Sequence, residues 1–276
     1  MKILLSEAAP DYVGYVFPYA VWGFLEPGES PATAFAAGFL PSLPDLSRFY
    51  LCRQVRVVLP RFAPSSENRR VLRHGSSLTV SLLERKAFEW TPTRRQFCLD
   101  YAAHRWSSPP SPERIEGIFH SPLTTHVMLF QEADGTDAGI VSLYRDGATW
   151  FYSNAFYSAG APSGRGAFLM TETVRRLSEM GQDFLHLGTC YARSALYKTQ
   201  FPGVEFFDGT GWSSDLARLK QILSRQEAAP SGHLLEDSDY RARWIPEGLA
   251  ELAARSPLRL EAASGSSKPP FAPERR

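Results

Sequence analysis

The chain has 276 residues, of which 43% are hydrophobic, and this is enough material for one large core or two modest ones. Its net charge of +1 excludes a global field that recruits nucleic acid, so any such binding requires a local patch. Three scattered cysteines and the lack of an apolar run of about 20 residues argue against a disulfide framework, a metal knuckle and a membrane span, and we expect a cytoplasmic protein.

The first 90 residues predict a small N-terminal domain that carries a basic segment. A Ser-Pro start and a glycine end predict a short helix over residues 30–38, while residues 55–59 and 77–83 have the composition of strands. Between those strands a Pro-Ser turn opens a second helix. Residues 48–73 contain seven arginines and a single acid, Glu67.

Four of these arginines are candidates for binding a phosphate backbone. Arg69 and Arg73 lie one helical turn apart and share a face, Arg70 lies beside them, and Arg56 is on the preceding strand. Guanidinium groups match phosphate oxygens in pairs, which makes such a cluster suitable for a polyanion. Two plainer explanations stay open: GC-rich codon usage raises arginine content along the whole chain, and the helix edge is simply solvated.

Residues 91–226 predict a second domain. A Thr-Pro pair starts a helix, three aromatic-rich runs are separated by Asp-Gly pairs, and a glycine loop leads into a long helix and a buried strand. Asp-Gly between apolar runs signals a hairpin, so the three runs predict an antiparallel meander. This order is typical of GNAT-type acyltransferases, and we predict an α+β fold with a mostly antiparallel sheet and flanking helices. Residues 227–276 predict a tail, with one isolated helix over residues 245–260 and disorder after Ala262.

A series of short motifs runs between residues 19 and 212. In chain order they are Cys52, Val55-Arg56-Val57, Phe62-Ala63-Pro64-Ser65, Arg69-Arg70, Gly166, Leu187-Gly188, Tyr197-Lys198, Phe201, Glu205 and Gly211-Trp212. Together they resemble the arginyl- and leucyl-tRNA-protein transferases. The resemblance implies aminoacyl-tRNA as the donor and the amine of a protein or small peptide as the acceptor.

The resemblance also implies roles for individual residues. Tyr197 would give a proton to the departing ribose oxygen, and Lys198 would hold a terminal phosphate or the oxyanion. Asp146 would bind the ammonium of the acceptor, and Glu205 is a second candidate carboxylate. The plainer alternatives are a core-capping tyrosine, a solvated lysine and an aspartate that only makes a turn. The donor pocket is expected to contain Gly166, Gly188, Thr189 and Trp212.

The chain departs from this family at its cysteines. The family commonly has four N-terminal cysteines that have been linked to metal, haem or cluster binding. Only Cys52 remains here, and Phe17 stands where the first would fall. A single thiolate cannot hold such a centre, so we predict no metal and no cofactor. Thr189-Cys190 replaces an aromatic pair, which leaves the transferred amino acid undetermined.

Two other functions fit parts of the sequence. Residues 161–166 resemble the pyrophosphate loop of acyl-coenzyme A-dependent N-acyltransferases, although Ala161 stands where Gln or Arg is usual. The lost cysteines also fit a catalytically inactive transferase fold that is kept as a binding module. The leading prediction is a monomeric, aminoacyl-tRNA-dependent aminoacyltransferase.

Overall fold

The computed structural model describes residues 1–7, 19–106, 110–158, 160–227 and 234–255. Within these ranges the chain forms two β-sheets with helices against them. The strands are β1 (Lys2–Glu7), β2 (Tyr19–Phe24), β3 (Phe39–Pro41), β4 (Phe49–Leu51), β5 (Gln54–Val58), β6 (Thr79–Glu84), β7 (His126–Gln131), β8 (Asp137–Asp146), β9 (Thr149–Tyr157), β10 (Phe184–Thr189), β11 (Val204–Phe207) and β12 (Trp212–Ser213). The α-helices are α1 (Pro31–Ala36), α2 (Ser66–His74), α3 (Pro92–Arg105), α4 (Pro112–His120), α5 (Arg165–Glu179), α6 (Leu216–Glu227), α7 (Ser238–Trp244) and α8 (Leu249–Arg255).

The small sheet has the strand order β1-β2-β4-β3, with antiparallel neighbours throughout. Helix α1 follows Ser30, has Pro31 at its first position, and ends before Gly38, whose φ of 90° favours glycine. The predicted short helix is therefore confirmed. Its Phe35 is fully buried, and the ring packs against Phe49 of the small sheet and Phe151 of the large one.

The large sheet has the strand order β12-β11-β5-β10-β9-β8-β7-β6. Its neighbours are antiparallel except for β9 and β10, which run parallel. The predicted meander is confirmed as β7, β8 and β9, and Gly135 and Gly147 occupy its turns with φ of 85° and 58°. The α+β class with a mostly antiparallel sheet and flanking helices is thereby confirmed.

Two strands from the first 90 residues belong to the large sheet. β5 lies between β10 and β11, and β6 forms the edge beside β7. The domain boundary that we predict at residue 90 therefore falls between strands of one sheet. Hydrophobic patterning predicts a strand but does not select its partner, which here lies some 130 positions further along the chain.

The helices divide between the two faces of the large sheet. α2, α5, α6 and α7 cover one face, where Trp150, Val174 and Leu185 belong to the largest core cluster. α1, α3 and α4 cover the other face. Because strand residues alternate in direction, Leu185 and its neighbour His186 lie on opposite faces. We call these the α5 face and the α1 face.

The segment after α6 is more closely attached to the core than predicted. The single isolated helix expected over residues 245–260 is wrong, because α7 and α8 are separated by a turn at Gly248, whose φ is 91°. Tyr240 of α7 is buried in the core of the α5 face, and its hydroxyl accepts a hydrogen bond of 2.7 Å from Nε of Arg218. The predicted disorder after Ala262 lies outside the described residues.

Candidate active site

The parallel strands β9 and β10 are paired over only three residues. Pairing runs from Phe184 opposite Thr149 to His186 opposite Phe151, and both strands then continue without pairing to each other. Each strand also carries a β-bulge or irregularity at this point, one against β8 and one against β5. A cavity of about 460 Å³ lies beside the unpaired part of β9. Its volume is in the usual range of small-ligand sites, about 300–1,000 Å³.

Four tyrosines line this cavity, and we call it the tyrosine cavity. Tyr152 and Tyr157 come from β9, Tyr101 comes from α3, and Tyr197 comes from a 3₁₀ turn after β10. The rings of Tyr101 and Tyr157 are 4.7 Å apart. Burial raises the pKa of Tyr101, Tyr152 and Tyr197, so their hydroxyls stay protonated at neutral pH and can donate. Tyr197 is half-exposed at the cavity.

The lining of the tyrosine cavity also includes two arginines. The guanidinium of Arg105 stands over the ring of Tyr157 at 5.6 Å. Arg165, the first residue of α5, donates to Glu132 at 3.3 Å, while its Nη1 is buried without a partner in the described part of the chain. Cationic groups beside protonated phenols suit an anionic or oxygen-rich ligand.

The loop before α5 requires glycine at two points. Gly164 caps the helix with a φ of 91°, which favours glycine. A Cβ at Gly166 would come within 3.1 to 3.3 Å of ring and hydroxyl atoms of Tyr157, so a side chain there would press on the cavity wall. The structure therefore brings the predicted donor-pocket residue Gly166 and the predicted proton donor Tyr197 to one cavity.

Lys198, Gly188 and Thr189 form a second predicted group that comes together. Nζ of Lys198 donates to the carbonyl oxygen of Thr189 at 2.8 Å, and it lies 3.5 Å from where a Cβ of Gly188 would be. Burial lowers the pKa of Lys198. Lys198 lies next to Tyr197 in the chain but is not part of the cavity lining, so it can position the bulged end of β10.

Three other predicted residues lie together on the α1 face. Glu205 is directly opposite Arg56 across β11 and β5, and its Oε2 accepts two hydrogen bonds from the guanidinium, at 2.8 and 3.0 Å. Oε1 of Glu205 accepts a third from Arg61 at 3.1 Å. The guanidinium of Arg56 also stands 3.8 Å from the ring centroid of Trp212. The predicted phosphate ligand, carboxylate and donor-pocket tryptophan are thus engaged with one another.

Two buried polar residues extend this group. Nδ1 of His186 lies 2.7 Å from Oε1 of Gln54, and the imidazole stands edge-on to Trp212. Burial, with the nearby charge of Arg56, lowers the pKa of His186 well below its usual value. We call Gln54, Arg56, His186, Glu205 and Trp212 the paired cluster.

Asp146 does not line the tyrosine cavity. Its Oδ2 accepts a hydrogen bond of 2.7 Å from the backbone N–H of Ala32, the second residue of α1. A carboxylate at this position satisfies a donor of the first helical turn and favours its partial positive charge. The structure therefore places this predicted acceptor ligand at a helix end on the α1 face.

The arginines of α2 are exposed. Ser65 caps the helix in a capping box with Asn68. Arg70 pairs with Glu67, Arg69 donates to the carbonyl of Pro64, and the guanidinium of Arg73 has no partner among the described residues. The helix ends at His74 and Gly75, which border a recess together with residues 162–165. These four residues also line the tyrosine cavity, so α2 ends beside it.

Sequence reasoning did not identify most of the cavity lining. Tyr101 stood out only as part of a helical stripe, and Tyr152 and Tyr157 only as members of an aromatic-rich strand. Arg105 carries no signal beyond its charge, and Arg165 is part of the glycine loop over residues 161–166. These five residues come from three elements, α3, β9 and α5, so no linear motif joins them.

The described residues form neither a metal-binding group nor a membrane-spanning helix. Within the described ranges, no three side chains of His, Cys, Asp or Glu converge on a point where they could hold a metal. None of the helices described combines the length and apolar character needed to cross a bilayer. Cys52 is buried and forms no disulfide with a described residue, and Phe17 lies outside the described residues.

Two curated proteins that share one name resemble this chain. No protein-family model matches the chain. A curated protein named aspartate/glutamate leucyltransferase from Rhizorhabdus wittichii is 29% identical over 177 residues, covering 58% of this chain and 65% of that protein. A protein of the same name from Sphingopyxis alaskensis is 28% identical, with 64% and 72% covered. The resemblance predicted from the motifs is thereby confirmed, over 65% of the first relative's length.

Solved structures resemble parts of the chain. The L-PGS of Bacillus licheniformis gives a TM-score of 0.41 at 14% identity, covering 51% of this chain and 45% of that one. A GCN5-related N-acetyltransferase from Sphaerobacter thermophilus gives 0.31 at 16% identity, covering 62% and 50%. Both scores are low, and the fold assignment rests on the strand order described above.

Proposed function

We propose that this chain, a divergent relative of the aspartate/glutamate leucyltransferases, transfers an amino acid from a charged tRNA to the α-amine of a peptide or protein. The names of the relatives make an N-terminal aspartate or glutamate the first acceptor to test. The observation that carries the proposal is the tyrosine cavity, where a half-exposed phenol, two guanidinium groups and a glycine-bearing helix start meet.

The proposed reaction exchanges an ester for an amide. The neutral amine attacks the acyl carbon, a C–N bond forms, and the bond from that carbon to the ribose oxygen breaks. The amine loses one proton, and the ribose oxygen gains one. Tyr197 is the proposed donor of that proton, because its pKa is raised and its ring borders the cavity. Lys198 is proposed as a positioning residue, since its ammonium holds the carbonyl of Thr189.

The proposed tRNA path leads from α2 to the cavity. A Cβ at Gly75 would overlap the ring of Phe168, so the end of α2 packs directly on α5. Arg69, Arg70 and Arg73 would contact phosphates, which set position and affinity without reading sequence. At the other end of the path, Gly166 and the unpartnered Nη1 of Arg165 would meet the terminal nucleotide.

An acyl-coenzyme A donor is the second candidate, and the start of α5 is the observation that favours it. A glycine cap followed by Gly166 leaves a helix N-terminus open on the cavity, which suits pyrophosphate. The paired state of Arg56 also reduces the number of arginines that are free for tRNA.

One set of assays separates these functions. The purified chain is incubated with total tRNA charged with labelled amino acids and with peptides beginning with Asp, Glu, Leu or Lys. We expect label to enter the acidic peptides, and salt to weaken tRNA binding. Transfer from labelled acetyl-coenzyme A with no tRNA binding selects the second candidate. Binding of charged tRNA without transfer to any amine selects a non-catalytic binding module.

A further inference from the structure

A second cavity lies on the other side of the β9 bulge. It has a volume of about 340 Å³, and we call it the bulge pocket. Its polar lining consists of Ser153 and Asn154 of β9, Arg114 of α4 and Ser121, which follows α4, and Trp106 and Leu123 contribute apolar walls. This pocket shares no residue with the tyrosine cavity, and the proposed function assigns it nothing.

The two cavities are separated by the thickness of one strand. Tyr152 and Ala155 line the tyrosine cavity, whereas Ser153 and Asn154, between them in sequence, line the bulge pocket. The bulge arises because Asn154 is opposite Ser142 while Tyr152 is opposite Leu143, so Ser153 is the extra residue. The end of α3 is divided in the same way, since Arg105 borders one cavity and Trp106 the other.

Arg114 gives the bulge pocket its charge. It lies in the first turn of α4, and its guanidinium has no hydrogen bond or ion pair with any described residue. The adjacent acid, Glu113, interacts with Ser111 and Arg95 instead. An unpaired guanidinium at the edge of a largely apolar pocket suits a ligand with a short aliphatic stem and a carboxylate.

The polar atoms of the bulge suit an amine. The Asn154 side-chain N–H donates to the hydroxyl of Ser153 at 2.9 Å, and this assigns the amide oxygen as the free acceptor. The backbone N–H of Asn154 is already bonded to the hydroxyl of Ser142 at 3.1 Å. The pocket therefore offers a cation at α4 and an uncharged acceptor at the strand that adjoins the tyrosine cavity.

We propose that the bulge pocket binds the acceptor residue, with Arg114 pairing with its side-chain carboxylate and the Asn154 amide oxygen receiving its α-amine. This inference rests on the proposed function, because it names the subsite from which the amine attacks. The amine would then reach the acyl carbon past the point where β9 and β10 separate. Arg114 is the specificity-determining residue in this arrangement, and it takes no part in the bond changes.

Two variants test the pocket in different ways. Arg114→Ala removes the guanidinium that would pair with the carboxylate of the acceptor. Arg114 is exposed, so this substitution should not disturb folding. Gly117→Leu fills the pocket, because a Cβ at Gly117 meets no atom within 4 Å. Gly117→Ala is a graded step, since it replaces the same helical glycine but adds only one methyl group to the pocket. Arg241→Ala, at an exposed position of α7 outside the pocket, is the matched control for loss of one positive charge.

Steady-state transfer is measured for peptides that begin with Asp, Asn, Glu or Gln. We expect Arg114→Ala to reduce kcat/KM for the acidic peptides about 10- to 100-fold through KM, and to leave the amide peptides and the KM for charged tRNA unchanged. Gly117→Leu should raise KM for every peptide, Gly117→Ala should raise it less, and Arg241→Ala should resemble the native chain. An Arg114→Ala variant that still prefers acidic peptides would overturn the inference and leave the proposed function intact.

A binding measurement distinguishes failure of the pocket assignment from failure of the proposed function. Trp106 lines the pocket, so an acidic peptide should change the tryptophan fluorescence without tRNA, and Trp106→Phe should remove the change. If no peptide is ever aminoacylated but the acidic peptide binds in an Arg114-dependent way, the proposed function fails and the ligand class of the pocket stands. If the native chain transfers amino acids to acidic peptides but none alters the Trp106 signal, the pocket assignment is wrong.

Discussion

The tyrosine cavity and the paired cluster both place arginine beside aromatic side chains, but they differ in how their polar groups are satisfied. In the paired cluster, Arg56 and Glu205 have side-chain exposures of only 12% and 13% and are bonded to each other. In the tyrosine cavity, Tyr197 is half-exposed and Arg165 has an unpartnered nitrogen. Satisfied polar groups stabilise a fold, whereas unsatisfied groups beside a cavity are available to a ligand.

This difference changes the roles that the sequence predicts. Glu205 and Trp212 were expected at the reaction centre, and both are held on the α1 face by partners of their own. Asp146 likewise binds the start of α1. Tyr197 and Gly166 are the predicted residues that line the cavity. Measuring both transfer activity and the free energy of unfolding should therefore separate the two regions. A substitution in the tyrosine cavity should lower activity, and one in the paired cluster should lower stability.

Replacing Tyr197 by Phe should have the largest effect. The substitution removes the proposed proton donor and keeps the ring, so kcat for transfer should fall about 10²- to 10³-fold with little change in unfolding free energy. Tyr191→Phe is the matched control, because Tyr191 is similarly exposed just before the 3₁₀ turn that carries Tyr197 but does not line the cavity. Equal rates for Tyr197→Phe and the native chain would remove Tyr197 from the mechanism.

Replacing Glu205 by Gln should affect stability instead. It leaves Arg56 largely buried without its counter-charge, so the free energy of unfolding should fall by about 2–3 kcal/mol in urea titrations. Glu67→Gln breaks an ion pair whose side chains are more than half exposed, and should change stability far less than Glu205→Gln does. Loss of transfer by folded Glu205→Gln, with native stability, would instead support the role first predicted from the sequence.

Protonation of His186 in the paired cluster should make the stability of the folded chain depend on pH. Its pKa in the folded chain lies well below the unfolded value of about 6.5, so the unfolded chain binds the extra proton first as pH falls. Stability from neutral His186 is therefore complete above pH ~6.5 and declines by up to about 1.4 kcal/mol per pH unit below it. Below pH ~6.5 the free energy of unfolding should fall more steeply with decreasing pH in the native chain than in His186→Gln. Identical slopes would contradict a buried neutral imidazole.

Arg73 should give the smallest effect. Its guanidinium has no described partner, unlike that of Arg56, so Arg73→Ala should leave stability unchanged and reduce the salt-dependence slope of tRNA binding by about 1. Lys220→Ala, at an exposed position of α6, is the control for charge. A slope that does not change would place the tRNA path elsewhere and weaken the proposed link from α2 to the cavity.

Local structure followed from local chemistry in several places. The Asp-Gly pairs predicted the turns of the meander, Ser30 and Pro31 predicted the start of α1, and the Pro-Ser turn predicted the cap of α2. These signals depend on residues within a few positions of one another. The prediction failed at the C-terminal segment, because Tyr240 packs into the core of the α5 face and bonds Arg218 on another helix, and local sequence does not encode these contacts.

The sequence by itself determined the α+β class, the meander and the resemblance to the leucyltransferases, since these depend on turn residues, strand patterns and motif order. The tertiary structure alone decided which motif residues meet. β5 pairs with both β10 and β11, and this pairing turns Arg56 and Glu205 to the α1 face, while the separation of β9 from β10 opens a cavity beside Tyr197. Strand side chains alternate between faces, so a residue's site depends on the register of distant strands, which local pattern does not specify.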